Sequence, residues 1–567
     1  VAMFDVKDII AQAIHKQLPK LSRDQIYDML EYPPNPEMGD IALPCFKLSK
    51  TLRKPPVQIA QELASNISNM EFIDKVEPVS GYLNFFFNKS LFVEQTLKHI
   101  LEEQERYGSQ PIGEGKTIVI DYSAPNIAKP FHVGHLRSTV IGNSLRKIFE
   151  FMGYRCIGVN HLGDWGTQFG KLIVAYKLWG NKEEVEAHGI KELMRLYVKF
   201  HEEAEKDPKL EDEARSWFAR MEKGDNEALE LWQWFKDISL KEFQKVYDLL
   251  DVHFDSYAGE SFYNDKMDAV IEELRQKNLL KESEGAMIVD LEEYGMPPCM
   301  ILKKDGSSLY ATRDIAAAIY RKKEYDFHKC IYVTGAAQSL HFQQWFKVIE
   351  LMGYEWAKDL IHVPFGLVSL GGEKLSTRKG KVVLLEDILS EAIKKTLEII
   401  ESKNPDLENK EEVARYMGVG AVIFSDLYSN RIKDVSFSWD EVLNFDGETG
   451  PYVQYTHARC CSVIRKAYEQ DSSFNPGLLQ TKEEYQLCKT LYQFPEKVMM
   501  ALTQLEPSII TRYLVDLAQN FNRFYHEHPI LADDQQLRAA RLALVKATRI
   551  TLANGLKLIG LKPLERV

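Results

Sequence analysis

The chain has 567 residues, enough for about three or four domains at the usual ~100–200 residues each. Its 45% hydrophobic and 27% charged residues are those of an ordinary globular protein, and no run approaches the ~18 apolar residues of a membrane-spanning helix. A formal net charge of −12 argues against a nucleic-acid partner only until it is located: residues 181–300 hold 16 Lys+Arg against 30 Asp+Glu, and the rest is nearly neutral. Phosphate recognition needs local clusters of cations, not a basic average.

Apolar periodicity predicts helices over Val6–Gln17, Arg23–Leu30 and Val57–Ile67, then a strand within Gly81–Asn88. Gly108–Gly115, with three glycines and a proline, reads as a linker. Strands and helices then alternate: Ile118–Asp121, Leu136–Phe151, Cys156–Asn160 and Thr167–Trp179. Residues 181–280 break that pattern with charged helical sequence, and alternation resumes at Ile331–Thr334, Leu340–Met352 and Ile361–Val368. From Lys410 onward the chain reads as helical, with short breaks at Gly447–Pro451 and Pro529. The fold class expected is multidomain α/β. Residues 1–107 form an N-terminal α+β domain, and 108–395 a doubly wound parallel-sheet (Rossmann-type) domain interrupted by a helical insertion at 181–300. Residues 396–567 form an all-α bundle. The seven cysteines show no Cys-x-x-Cys spacing, so no zinc site, no disulfide framework and no other resident metal is expected. Together with the lack of a signal-peptide pattern, this leads to the expectation of a cytoplasmic protein without a membrane partner.

The segment Asp121–His135, Asp-Tyr-Ser-Ala-Pro-Asn-Ile-Ala-Lys-Pro-Phe-His-Val-Gly-His, carries the chemistry. It joins a predicted strand to a predicted helix, with His132 and His135 at the helix start. A helix N-terminus presents unpaired N–H groups and the positive end of the macrodipole, and so attracts phosphate. The histidines add donors aimed at charge that develops during phosphoryl or nucleotidyl transfer, and Gly134 leaves room for a flat ring. Two capping histidines beside a turn glycine would be the bland alternative. The basic stretch Lys374-Leu-Ser-Thr-Arg-Lys-Gly380 would supply cations to phosphates, or would be a solvated turn.

The run Ser123–Thr139 resembles the histidine-motif region of class I aminoacyl-tRNA synthetases, and of the arginyl-tRNA synthetases in particular. Similar stretches recur at Asn160–Gly170, Leu309–Asp314, Glu373–Gly380 and Thr449–Arg459, so the resemblance runs from Gly81 to the C-terminus and more weakly before it. It implies a ligase that uses ATP with Mg²⁺ and no organic cofactor. L-arginine would be activated and passed to the 2′-hydroxyl of the terminal adenosine of tRNA(Arg), by a monomer that needs tRNA for the activation step. His132 and His135 would then be catalytic and bind ATP with Gly134, Lys374, Ser376 and Lys379, Arg378 assisting. The general class I loop has a second lysine where Thr377 stands here, and Leu375 replaces a methionine; in this family Lys129, just upstream of the histidines, is thought to compensate.

A planar guanidinium is best read by a carboxylate. Tyr310 and Asp314 lie at i and i+4, on one face if Ala311–Tyr320 is helical. The resemblance assigns both to the arginine pocket and adds Gln338, Asp121, Asn126 and His132. Asp314 as a surface partner of Arg313 or Arg321, and Tyr310 as a core aromatic, are the alternatives. Asp164, Trp165 and Gln168 follow the second predicted strand, where ligands bind, although Gly163 and Gly166 equally suggest a turn. For tRNA, Tyr82 and Asn84 share a strand face matched to a D-loop contact, and Tyr452, Tyr455 and Arg459 recur at helical spacing on the anticodon side. Such a tyrosine pair is as often core as contact. Two other readings compete: another His-x-Gly-His nucleotidyltransferase or synthetase, and a non-catalytic synthetase-like RNA-binding protein. If Asp314 reads the guanidinium, Asp314→Asn lowers kcat/KM for arginine by more than about tenfold in a charging assay, and an unchanged value removes it from the pocket.

Overall fold

The computed structural model describes residues 4–67, 69–370, 373–374, 383–467 and 473–567, with backbone alone at Leu370, Glu373 and Lys374. They divide into two compact units. One comprises Val1–Tyr107, Arg459–Phe494 and Asp516–Leu552; the other comprises Gly108–Ala458, Pro495–Val515 and Ala553–Val567. The segment 396–567 is therefore shared between two units, where sequence alone suggested one bundle.

In the first unit a three-stranded antiparallel sheet sets Tyr82–Phe87 between Ile41–Pro44 and Ile73–Val79. The helix Val6–Gln17 opens on an Asp5 cap, and its buried Val6, Ile10 and Ile14 recur at helical spacing. The later helical segments complete this core. Tyr107 Oη donates to the Leu491 carbonyl at 2.6 Å, Val6 N donates to Tyr492 Oη at 2.7 Å, and Lys489 Nζ lies 3.1 Å from Asp40. These long-range contacts explain why Lys482–Tyr492 belongs here despite its distance in sequence.

The second unit is built on four parallel strands. They are β1 (Thr117–Asp121), β2 (Arg155–Val159), β3 (Lys329–Gly335) and β4 (Leu360–Phe365), in the order β4-β3-β1-β2. Ile118, Val119 and Ile120 of β1 have no exposure, as a parallel strand covered on both faces requires. The chain leaves β1 through helix α1 (Leu136–Phe151) to β2 on one side, and β3 joins on the other. A crevice thus opens beyond the carboxyl ends of β1 and β3, where doubly wound sheets bind ligands. Helices α2 (Tyr310–Tyr325) and α3 (Ser339–Leu351) flank β3.

The insertion is helical over Lys182–Leu250 and again at Met267–Gln276, but it ends in a three-stranded antiparallel sheet, Leu280–Ser283, Ala286–Val289 and Cys299–Leu302, that sequence reading missed. Each strand has four residues, too few for alternation to register. The region after Lys410 is likewise not helical throughout, because Val435–Phe437 pairs in parallel with Val368–Leu370. The helix Leu385–Lys403 packs on Lys410–Tyr428, and a Cβ on Gly418 would fall 2.8 Å from the Ala392 carbonyl oxygen.

From Leu136 to Leu145 every residue of α1 is buried, so this helix lies inside the unit rather than on it. Its Gly142 faces Tyr122, and a Cβ there would fall 2.2 Å from Tyr122 Cγ. Tyr122 is fully buried against Phe254 at 4.7 Å and has nowhere to swing. In an open helix Gly→Ala gains about 1 kcal/mol. Here overpacking costs about 1–3 kcal/mol and outweighs it, so Gly142→Ala should lower the thermal midpoint; an unchanged or higher midpoint would show that Tyr122 yields.

Candidate active site

Between β1 and α1 the backbone takes an unusual path. Ser123, Ala124 and Ala128 adopt φ of +75°, +50° and +62°, a left-handed region costly for residues with a Cβ. Side chains from three other segments hold it there. Ser123 N donates to Ser138 Oγ at 2.9 Å, and Ser123 Oγ lies 2.8 Å from Thr139 Oγ1 and 2.7 Å from Tyr247 Oη. Ala124 N donates to Asn160 Oδ1 at 3.0 Å, and Ala128 N to Ser239 Oγ at 2.8 Å. Beside this path a Cβ on Gly163 would fall 1.8 Å from Asn126 Oδ1 and 3.2 Å from Glu260 Oε1. Gly163 therefore lets Asn126 and Glu260 approach each other.

The histidines follow in a tight turn, Val133–His135, that leads directly into α1. His132 Nδ1 accepts from Gly134 N at 3.0 Å, which puts the ring proton of neutral His132 on Nε2 as an outward donor. A Cβ on Gly134 would fall 2.6 Å from that ring. The two imidazoles lie 4.1 Å apart. Burial lowers the pKa of His132, and burial reinforced by His132 lowers that of His135 to about 3. Both are neutral at working pH, so they offer hydrogen bonds and not charge.

Compensating charge must come from cations. Lys129 is exposed just before the histidines. Lys374 lies in the strand Glu373–Lys374, paired with Val368–Leu370, while Ser376, Arg378 and Lys379 lie outside the described residues. Backbone contacts tie the chain after this loop to the histidine turn. Val133 N donates to the Val383 carbonyl and Leu385 N to the Phe131 carbonyl, each at 3.0 Å.

Asp121 is buried at the end of β1, with Oδ2 2.9 Å from Nη1 of the fully buried Arg321, an ionic contact without hydrogen-bond alignment. Burial opposes the Arg321 cation, but Asp121 together with Tyr263, Tyr332 and Cys330 outweighs it and raises its pKa well above the usual value. Asp314 is half-buried on α2, and its partner is His341, not Arg313 or Arg321. Tyr310, at 72% exposed, is no core aromatic; it lines a cavity of about 500 Å³ together with Gln168, Glu260 and Arg313. Burial lowers the pKa of His161, with Asp121, Asp314 and Asp164 opposing and Arg321 adding to it. Gln338 is exposed in the turn that follows β3.

Asp164 serves the framework. Its buried carboxylate accepts from Ser261 N and Oγ at 2.7 and 2.8 Å and lies 2.9 Å from Lys236 Nζ. Trp165 packs on Trp232 at 5.4 Å. In the other unit Tyr82 is half-buried beside the exposed Phe46 at 6.4 Å, whereas Asn84 is 1% exposed and does not present a surface with it. Flanking strands and the turn at Gly39 cover that residue. Tyr455 is exposed and Tyr452 half-buried on Gly450–Ala467; Arg459 donates to Asn522 Oδ1 at 2.7 Å. Glu260 and His341 were not named by sequence reasoning, and Arg321 only as a surface partner for Asp314, since each stands alone outside the motif runs.

A parallel sheet whose switch point bears a His-x-Gly-His turn, with carboxylates gathered beside it, defines a nucleotide-activating enzyme of the class I aminoacyl-tRNA synthetase type. Residues 96–439 match the family described as tRNA synthetases class I (R), catalytic domain; 453–567 match the DALR anticodon binding domain, and 5–87 the arginyl tRNA synthetase N terminal domain. The chain belongs to the arginyl-tRNA synthetases. It is 58% identical to the arginine–tRNA ligases of Alkaliphilus metalliredigens and of Clostridioides difficile, over 100% of each chain. Among solved structures it resembles the arginyl-tRNA synthetase of Thermus thermophilus, with a TM-score of 0.85 at 27% identity over 99% of both chains. It resembles the Plasmodium falciparum enzyme at 0.84 and 26% over 100% of both.

Burial pushes the Glu260 carboxyl up to about 7; Arg313 opposes this, and Asp164 and Asp314 add to it. Such a group is about one-tenth ionised at pH 6 and about nine-tenths at pH 8. A ligand cation beside it should therefore bind up to about tenfold more tightly at pH 8, with release of a proton. Calorimetric titration with arginine at the two pH values checks this, and Glu260→Gln should flatten the difference.

Proposed function

We propose that this chain is an arginine–tRNA ligase acting in the cytoplasm as a monomer. The turn Val133–His135 at the sheet's switch point, with two neutral imidazoles above a helix start, is the observation that carries the reading. In the first step an arginine carboxylate oxygen attacks the α-phosphorus of ATP. A phosphorus–oxygen bond forms, the bridge to the β-phosphate breaks, and pyrophosphate leaves. His132 donates through Nε2 to an oxygen whose charge grows in that step, with His135 and Gly134 beside it. Lys129 and the loop residues Lys374, Ser376, Arg378 and Lys379 compensate the leaving pyrophosphate.

Asp121 and Asn126 take the ammonium and carboxylate end of arginine, with Gln338 at the pocket edge. Asp314 and Tyr310 read the guanidinium, and Gln168 and Glu260 line the adjoining cavity. In the second step the 2′-hydroxyl of the terminal adenosine attacks the acyl carbon and AMP departs. Tyr82 and Asn84 would serve a D-loop contact, Asn84 only if its cover moves; Tyr452, Tyr455 and Arg459 would serve the anticodon side. ATP would enter as its magnesium complex, the ion held by substrate phosphates and water and neutralising phosphate charge. Among the described residues no cluster of His, Cys, Asp or Glu is set to hold a metal, and no helix is long and apolar enough to cross a membrane.

Arginine-dependent ATP–pyrophosphate exchange, run with and without tRNA, tests the reading. Exchange is expected only when tRNA is present. No exchange under either condition would sink the ligase assignment, and full exchange without tRNA would discard only the tRNA requirement.

A further inference from the structure

The carboxylate assigned to the guanidinium has a partner outside every motif. His341 stands on α3, and its Nε2 lies 2.6 Å from Asp314 Oδ2 on the neighbouring α2. Among the described residues no other hydrogen bond reaches the Asp314 carboxylate, and Oδ1 receives none. Arg313, the adjacent cation, turns elsewhere: its Nη1 donates to the Glu260 carbonyl and to Asn264 Oδ1.

The imidazole is itself braced. It meets Phe342 edge-on at 5.4 Å, and Phe342 stacks on His362 at 4.4 Å with ring planes 12° apart. His362 Nε2 lies 2.7 Å from Thr334 Oγ1 near the end of β3. A line of contacts thus runs from the parallel sheet to one oxygen of Asp314. A half-buried aspartate without such a brace samples several rotamers, and guanidinium recognition is directional. A carboxylate oxygen has two lone pairs, so Oδ2 can accept from the imidazole and still share a guanidinium with Oδ1.

We propose that His341 is a positioning residue for arginine selection: by donating from Nε2 to Asp314 Oδ2 it fixes the carboxylate plane that the substrate guanidinium meets. The inference rests on the arginine-ligase reading. His341 acts through Asp314, not on the substrate, and its effect falls on arginine recognition alone.

Steady-state charging of tRNA with arginine, on the full chain, tests this with three variants. His341→Phe keeps a ring in place without the donor, and His341→Ala removes the ring. His341→Gln returns an amide N–H near the position of Nε2. The Phe and Ala variants should raise the arginine KM by about tenfold or more, while kcat and the KM for ATP stay within about twofold. The Gln variant should recover most of the loss. In an Asp314→Asn background His341→Phe should cost little more, because its target is gone. An unmoved arginine KM in both the Phe and Ala variants overturns the inference. A loss of equal size in the Asp314→Asn background does so too, since His341 would then act on the substrate itself. A parallel shift in kcat and in the ATP KM would mark a merely structural role and overturn it as well. The unaltered chain in the same assay separates the two levels: failure to charge arginine defeats the ligase reading and this inference together, whereas normal charging with unmoved variants defeats only the role of His341.

Discussion

The site depends on a backbone path that the chain would not take alone. Between Asp121 and Phe131 three residues with a Cβ occupy left-handed space, at a cost on the order of 1–3 kcal/mol each. That cost is borne because donors and acceptors from β2, α1 and the insertion converge on the path: Asn160, Ser138, Thr139, Ser239 and Tyr247. The long helix Asn226–Leu250, which supplies Ser239 and Tyr247, is therefore part of the active-site framework rather than an appendage. Its burial of Phe235, Phe243 and Val246 explains how an acidic, highly charged segment still contributes to the core.

The electrostatics divide the labour. Burial keeps both imidazoles neutral, so a water-poor site retains directed donors without the cost of solvating two more cations. Charged groups stand where side chains reach solvent, as Lys129 does, or in buried pairs, as with Arg321 and Asp121. Breaking such a buried pair would strand a charge, so the pair ties the end of β1 to the helix Tyr310–Tyr325.

Much of this was legible in the sequence because the motif residues are contiguous. The helix Leu136–Phe151 follows from its apolar periodicity, and the placing of Tyr310 and Asp314 on one helix from their i, i+4 spacing. Where the reading ran out, the reasons are physical. Glu260, Arg321 and His341 come from three separate elements, and only the tertiary fold sets them beside Asp121 and Asp314. Asn84 shares a face with Tyr82 by alternation, yet period-two reasoning cannot tell whether a neighbouring strand or turn covers that face. The short strands at Leu280–Leu302 and Val435–Phe437 lack the length for a pattern and are stabilised by pairing.

One further link connects the histidine turn with the segments on either side of the basic loop. Arg137, two residues after His135, is fully buried; it donates through Nη1 to the carbonyls of Gly366 at 3.1 Å and Lys433 at 2.7 Å. Its Nε lies 3.3 Å from the buried carboxylate of Asp426 on the helix Lys410–Tyr428. Gly366 precedes Val368–Leu370, the strand that pairs with Lys374, and Val383–Leu385 beyond the loop is bonded to Phe131–Val133. Both ends of the basic loop are thus registered against the histidine turn, one through Arg137 and one through the backbone. Because the same guanidinium holds Lys433 and Asp426, a displacement of the helical bundle bears on the loop and the histidines together.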